Sequence, residues 1–190
     1  MTRSLERANN FFSFGTSRGD RTLRVGAALA GLAAFCVLFG LGRPVHAEAE
    51  PLGVGDGLPP FSLEDQHGEE HPLDAGIRLI LYSRDMDGGS VMREAMEGRD
   101  GEFLAVRGVA YVNEISAMPG LVTRLFALPK MRRRPYPILL DRDGEATAQF
   151  PDRSGSATLI LLEGSKLTSI EYFEDPDALA QRLEEFPKTD

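Results

Sequence analysis

Ile77-Arg-Leu-Ile-Leu-Tyr-Ser83, followed by Arg84-Asp85-Met86-Asp87-Gly88-Gly89 and then Ser90-Val-Met-Arg-Glu-Ala-Met96, sets the fold class of this chain. The first seven residues form a short apolar run between Gly76 and Asp85, the pattern of a strand buried on both faces. The last seven space apolar residues as one side of a helix, ended by Gly98. A buried strand feeding an amphipathic helix is half of a crossover unit, and a second such unit follows. Val106 to Val112 reads as its strand. A helix then opens near Pro119, with Leu121, Val122, Leu125, Phe126 and Leu128 on its apolar side. Pro129 disfavours helical geometry before it, so this helix is expected to stop near Leu128.

Around these units the chain signals antiparallel structure. Leu58-Pro-Pro-Phe-Ser-Leu63, the turn Asp65-Gln-His-Gly68 and the return from Glu69 to Leu73 read as a hairpin, which its prolines confine to a sheet edge. Tyr136 to Leu140 and the turn Asp141-Arg-Asp-Gly144 read as strand and turn. Ala157–Leu162 and Lys166–Phe173 flank Glu163-Gly-Ser165 as a second hairpin. Asp175 before Pro176 reads as the N-cap of a final helix through Leu179, Leu183 and Phe186. Strand–helix alternation with right-handed crossovers predicts an α/β fold with a mixed central sheet.

The chain has 190 residues and a net charge of −8. Residues 1–47 carry six Arg against Glu6 and Asp20, a net of +4, which leaves −12 on residues 48–190. So acidic a domain repels nucleic acid and anionic lipid over most of its surface. The basic stretch ends at Arg24, the apolar run Val25–Leu41 follows, and Val45-His46-Ala47 precedes Glu48. This order describes an export signal cut between Ala47 and Glu48, with an uncleaved membrane anchor facing the periplasm as the competing reading. Either way the domain is expected outside the cytoplasm, touching membrane only through its leader and only if the leader is not cleaved. Residues 48–57 read as a flexible lead-in, and 58–190 as the domain.

Cys36, the sole cysteine, lies inside the apolar run of the leader. The domain therefore has no thiol for exchange, metal binding or disulfide formation.

In its order of elements and motifs the chain resembles the thioredoxin-like reductases and peroxiredoxin relatives of the cell envelope. Pro59-Pro-Phe-Ser-Leu-Glu-Asp-Gln-His-Gly68 is similar to their opening P-x-F-x-L-x-D-x-x-G. Tyr136-Pro-Ile-Leu-Leu-Asp-Arg-Asp-Gly144 resembles their FPVLLDPDG insert, and Arg153-Ser-Gly-Ser-Ala-Thr-Leu-Ile-Leu161 their GTPTTFLID. The resemblance implies a three-layer α/β/α sandwich with an N-terminal β-hairpin. It also implies a W-C-x-x-C site after the first core strand, facing a cis-proline loop. Asp87 and Ser90 stand where those cysteines belong, and Gly155-Ser156-Ala157-Thr158 stands where the family carries Gly-Thr-Pro-Thr. The implied function is that of a redox-inactive relative which binds an envelope protein or a small ligand.

Two clusters remain as candidate sites. Ser83, Arg84, Asp85, Asp87, Gly88, Gly89 and Ser90, with Ser156 and Ala157 opposite, sit at a strand's carboxyl end and a helix start, where open α/β sheets bind ligands. The competing expectation is that Asp85 or Asp87 caps the helix and the glycines permit the turn. Lys130, Arg132, Arg133 and Arg134 form a dense basic patch suited to an acidic partner or phosphate-bearing headgroups; the alternative is a solvated loop after a helix. His67 and His71, four apart in a hairpin, read as surface turn residues, and no metal is expected. A non-thiol enzyme centred on Arg84, Asp85 and Asp87 is the alternative activity. A flavin oxidoreductase ranks below it, because no Gly-x-Gly-x-x-Gly follows a strand; no cofactor is expected.

Overall fold

The computed structural model describes residues 50–189. The leader, Cys36 and the cleavage junction at Ala47 and Glu48 lie outside the described residues.

In chain order the elements are β1 (Phe61–Asp65), β2 (Glu70–Leu73), β3 (Leu79–Ser83), α1 (Met86–Ala95), α2 (Gly101–Ala105), β4 (Val109–Glu114), α3 (Gly120–Val122), a π-helical segment π1 (Thr123–Ala127), α4 (Leu128–Met131), β5 (Leu139–Asp141), β6 (Ala157–Glu163), β7 (Lys166–Phe173) and α5 (Pro176–Glu185). The seven strands form one mixed sheet in the order β2-β1-β5-β4-β3-β6-β7. β3 lies parallel to β4, and β4 to β5. The β1–β2 and β6–β7 hairpins attach antiparallel at the two ends. Among the described residues no helix is long and apolar enough to cross a membrane.

Strand periodicity sorts the core into two halves. Leu79 and Leu81 of β3 point to one face with Val109 and Tyr111 of β4, where Val91, Met92 and Ala95 of α1 and Leu179 and Leu183 of α5 cover them. Ile80 and Tyr82 point the other way, under Leu58, Leu63, Leu73 and Phe150. The buried residues of α1, α2, α4 and α5 all serve the first face, while the N-terminal segment and the stretch around Phe150 close the second.

Several boundaries differ from the sequence expectation. α1 begins at Met86, a full turn before Ser90. α2 has no counterpart in the sequence reading, and β4 starts at Val109 because Arg107 and Gly108 form a turn, with Gly108 at φ +63°. The lead-in is tied down: Leu52 N–H bonds to Gln149 O, Gly55 N–H to Leu167 O and Leu58 N–H to Ser165 O. The helix after Pro119 runs past Pro129 to Met131. A proline lacks the amide hydrogen for the i−4 carbonyl and its ring crowds that carbonyl. The wider π turn just before it accommodates both, so the helix continues where α geometry would stop.

Candidate functional site

β3 delivers Ser83 to the carboxyl edge of the sheet, and the chain turns at once into α1. Asp85 makes that turn. Its extended backbone and side chain form the N-cap, with Oδ1 accepting the Gly88 amide at 2.8 Å. The other oxygen, Oδ2, accepts the Gly155 amide at 2.7 Å, from the loop before β6. One carboxylate thus joins the start of α1 to the 153–156 loop. Gly88 seals the junction, since a Cβ there would collide with the Ser156 carbonyl. The glycines therefore lie within the first turn of α1 and do not precede it. Gly88 is required by a close approach of two backbones.

The sheet order β4-β3-β6-β7, with β4 and β3 parallel, the β6–β7 hairpin antiparallel beside them and α5 following, surrounds this junction. The fold is thioredoxin-like. No protein-family model matches the chain, and no curated protein matches it. Solved structures similar to it include peroxidoxin BcpB from Mycobacterium tuberculosis, 20% identical over 70% of this chain and 94% of that one, with a TM-score of 0.46. A peroxiredoxin-like protein from Aquifex aeolicus is 11% identical over 74% and 91% of the two chains, at a TM-score of 0.48. A thiol:disulfide interchange protein of the DsbE type from Chlorobium tepidum is 18% identical over 70% and 96%, at 0.46.

Within this thioredoxin-like domain, the two positions that the resemblance aligns with cysteines do not come together as a reactive pair. Asp87 is exposed in the first turn of α1, and Ser90 is half-buried with its hydroxyl donating to Met86 O at 2.9 Å. Ser83 donates to Asn113 Oδ1 at 3.1 Å. Ala157 is buried at the start of β6, and Ser156 is buried with no partner for its hydroxyl among the described residues. The structure thus brings Asp85, Gly88, Gly155 and Ser156 into contact and turns Asp87 outward.

Arg84 leaves the loop altogether. Its Nε lies 2.7 Å from Glu114 Oε2 and 3.1 Å from the Tyr82 hydroxyl, and its Nη2 donates to Thr147 O at 3.2 Å. Beneath it, buried Asp141 accepts both the amide and the hydroxyl of Thr147 through Oδ2 at 2.8 Å, and the Gly144 amide through Oδ1 at 2.9 Å. This network was not expected. Asp141 reads in sequence as an ordinary turn residue, and Glu114 lies beyond the strand expected from Val106 to Val112, at the end of the observed β4. The guanidinium charge is taken up internally, which removes the cation that an anionic ligand at this loop would use.

Electrostatics follow the same geometry. Desolvation alone would raise the Asp85 carboxyl, but hydrogen bonds from Gly155 and Gly88 outweigh it and hold the group below the ordinary carboxylate range. Asp152 moves the other way, pushed up by burial although the nearby Arg84 pulls against it.

His71 is more than a turn residue. Its Nε2 lies 3.2 Å from Asp65 Oδ2, and Asp65, Glu69 and His71 can bring one ligand atom each within 4.8 Å of one another. Asp65 Oδ1 already accepts the His67 and Glu69 amides, so the carboxylate is committed to the β1–β2 turn. Two surface grooves of about 550 and 380 Å³ lie elsewhere, one along β1 and the 141–146 turn, the other beside Arg78 and Phe186. Neither is lined by the Ser83–Ser90 loop.

The second candidate cluster has an unexpected neighbour. Leu121 (70% exposed), Val122 (42%), Leu125 (55%) and Phe126 (61%), expected to pack inward, face solvent. Only Thr123 and Leu128 of the α3–π1–α4 helix are buried. Phe150, by contrast, is buried edge-on against Tyr82, with ring centroids 5.2 Å apart. Lys130 and Arg133 are exposed, Arg134 is half-buried, and Arg132 donates through Nε to Gln66 O at 2.9 Å.

Proposed function

We propose that the chain is an exported, redox-inactive thioredoxin-like protein that works by binding another protein or a small ligand. The observation that carries this reading is the double use of Asp85, which locks the start of α1 to the 153–156 loop where the family exposes its thiols. No residue from 48 to 190 is a cysteine, and a serine hydroxyl ionises too reluctantly to replace a thiolate. The leader's charge and apolar run support export to the periplasm. The exposed apolar face from Leu121 to Phe126 supports binding as the mode of action, because a contiguous apolar patch on a soluble domain marks a contact surface.

The alternative of a non-thiol enzyme needs a carboxylate poised for proton transfer near neutral pH. Asp85 is held low and Arg84 is spent on Glu114, so that loop does not favour it. The proposal predicts that the purified protein reduces no insulin disulfides and turns over no peroxide, measured against a thioredoxin and a peroxiredoxin run alongside. Turnover in either assay by protein free of contaminating oxidoreductase would refute it.

A further inference from the structure

We infer that the α3–π1–α4 face docks the domain on an anionic lipid surface, with Leu121, Val122, Leu125 and Phe126 entering the acyl boundary and Arg124, Lys130, Arg132 and Arg133 meeting headgroups. The inference rests on reading this face as a contact surface. Four large apolar side chains stand in solvent on a helix whose buried residues are one threonine and one leucine. Cations flank them on both sides of Pro129. Among the described residues Arg124, Lys130 and Arg133 form no ion pair, a state they share with Arg78, Arg134, Arg153, Lys166 and Lys188 elsewhere on the domain. Unpaired cations beside exposed Leu and Phe on one helix are the combination that holds a helix in a membrane interface.

Charge counts against two other occupants. A second copy placed face to face across a two-fold axis would set these cations against their own counterparts. The leader carries a net of +4 and is no better a match. Residues 48–190 carry −12 and repel an acidic headgroup layer elsewhere on the domain, so this face is the orientation in which the two complement each other, and the apolar run Val25–Leu41 directs the chain to a membrane whether or not it is later removed.

The chain contains no tryptophan, so Phe126→Trp supplies a single local reporter in the full-length protein, whatever the leader itself does. Adding phosphatidylglycerol–phosphatidylcholine vesicles should blue-shift its emission and make it quenchable by brominated lipid. Pure phosphatidylcholine should do so far less. Removing Arg124 and Arg133 together (Arg124→Ser, Arg133→Ser) should weaken the vesicle response on the order of tenfold or more at low salt. A Glu97→Trp reporter, exposed in the turn after α1, should stay unshifted; a shift there equal to that at position 126 would mean non-specific adsorption and overturn the inference. Leu121→Trp repeats the test if position 126 tolerates the change poorly. No shift with anionic vesicles overturns the lipid surface. If the reporter then shifts in membrane-free envelope extract, the contact-surface reading survives with a protein occupant; if it shifts on self-concentration, the occupant is a second copy. Silence in all three removes both readings.

Discussion

Replacing Gly88 by alanine is expected to destabilise the domain by about 3 kcal/mol, at the upper end for overpacking a closed site. The added Cβ would run into the carbonyl of Ser156, backbone against backbone. Neither side is free to retreat. Gly88 is held by its amide N–H donating to Asp85 Oδ1, and Ser156 leads directly into β6, one strand from the sheet edge and bonded on both sides. At this domain size such a loss lowers Tm by roughly 10 °C. The neighbouring change is the control. A Cβ on Gly89 meets only Ser83 Oγ, at 3.4 Å, so Gly89→Ala should stabilise by about 0.5–1 kcal/mol through helix propensity alone. Thermal unfolding followed by circular dichroism checks both. Equal effects at the two positions would contradict the close packing of α1 on the 153–156 loop.

Asp141→Ala is expected to cost about 4 kcal/mol. The carboxylate is 1% exposed and accepts three hydrogen bonds. Its removal leaves the Thr147 amide and hydroxyl and the Gly144 amide without an acceptor, each worth about 1–3 kcal/mol when buried. Thr147 also receives Arg84 through its carbonyl, so the loss spreads to the Arg84–Glu114 pair. Asp141→Asn keeps one oxygen and should lose about half as much. Urea unfolding should show the midpoint falling with an unchanged slope. A loss under about 1 kcal/mol for the alanine variant would show that the network does not hold the strand ends together.

Local signals of the right period were legible in the sequence. The alternation of β1, the apolar run of β3, the Glu163-Gly-Ser165 hairpin and the Asp175-Pro176 cap all appear where their chemistry places them. Misreadings arose where a local rule met a tertiary fact. Gly88–Gly89 reads as the turn before a helix, yet α1 passes through both, and at Gly88 only a glycine fits beneath Ser156. Pro129 looks like a terminator, yet a π turn absorbs it. The Leu121–Phe126 spacing says that one side is apolar but not that this side faces away from the sheet. Arg84 reads as a loop cation because its partners are distant in sequence, Thr147 lying 63 residues on. The facing of the Asp87 loop and the Ser156–Ala157 loop came from the resemblance, and the Asp85–Gly155 bond is its physical form.

The central claim is that Asp85 is a structural lock and not a reactive group. Carboxyl-carbon NMR of the Asp85 side chain through a pH titration tests it most directly. The account predicts a midpoint below about 3.9, the ordinary aspartate value. The Gly88 and Gly155 amides then favour the ionised form, and the stability they confer is lost only as pH falls through that depressed midpoint. A midpoint raised toward neutrality, with Asp85→Asn shifting it onto no other group, would mean a carboxyl poised for proton transfer and would contradict the account.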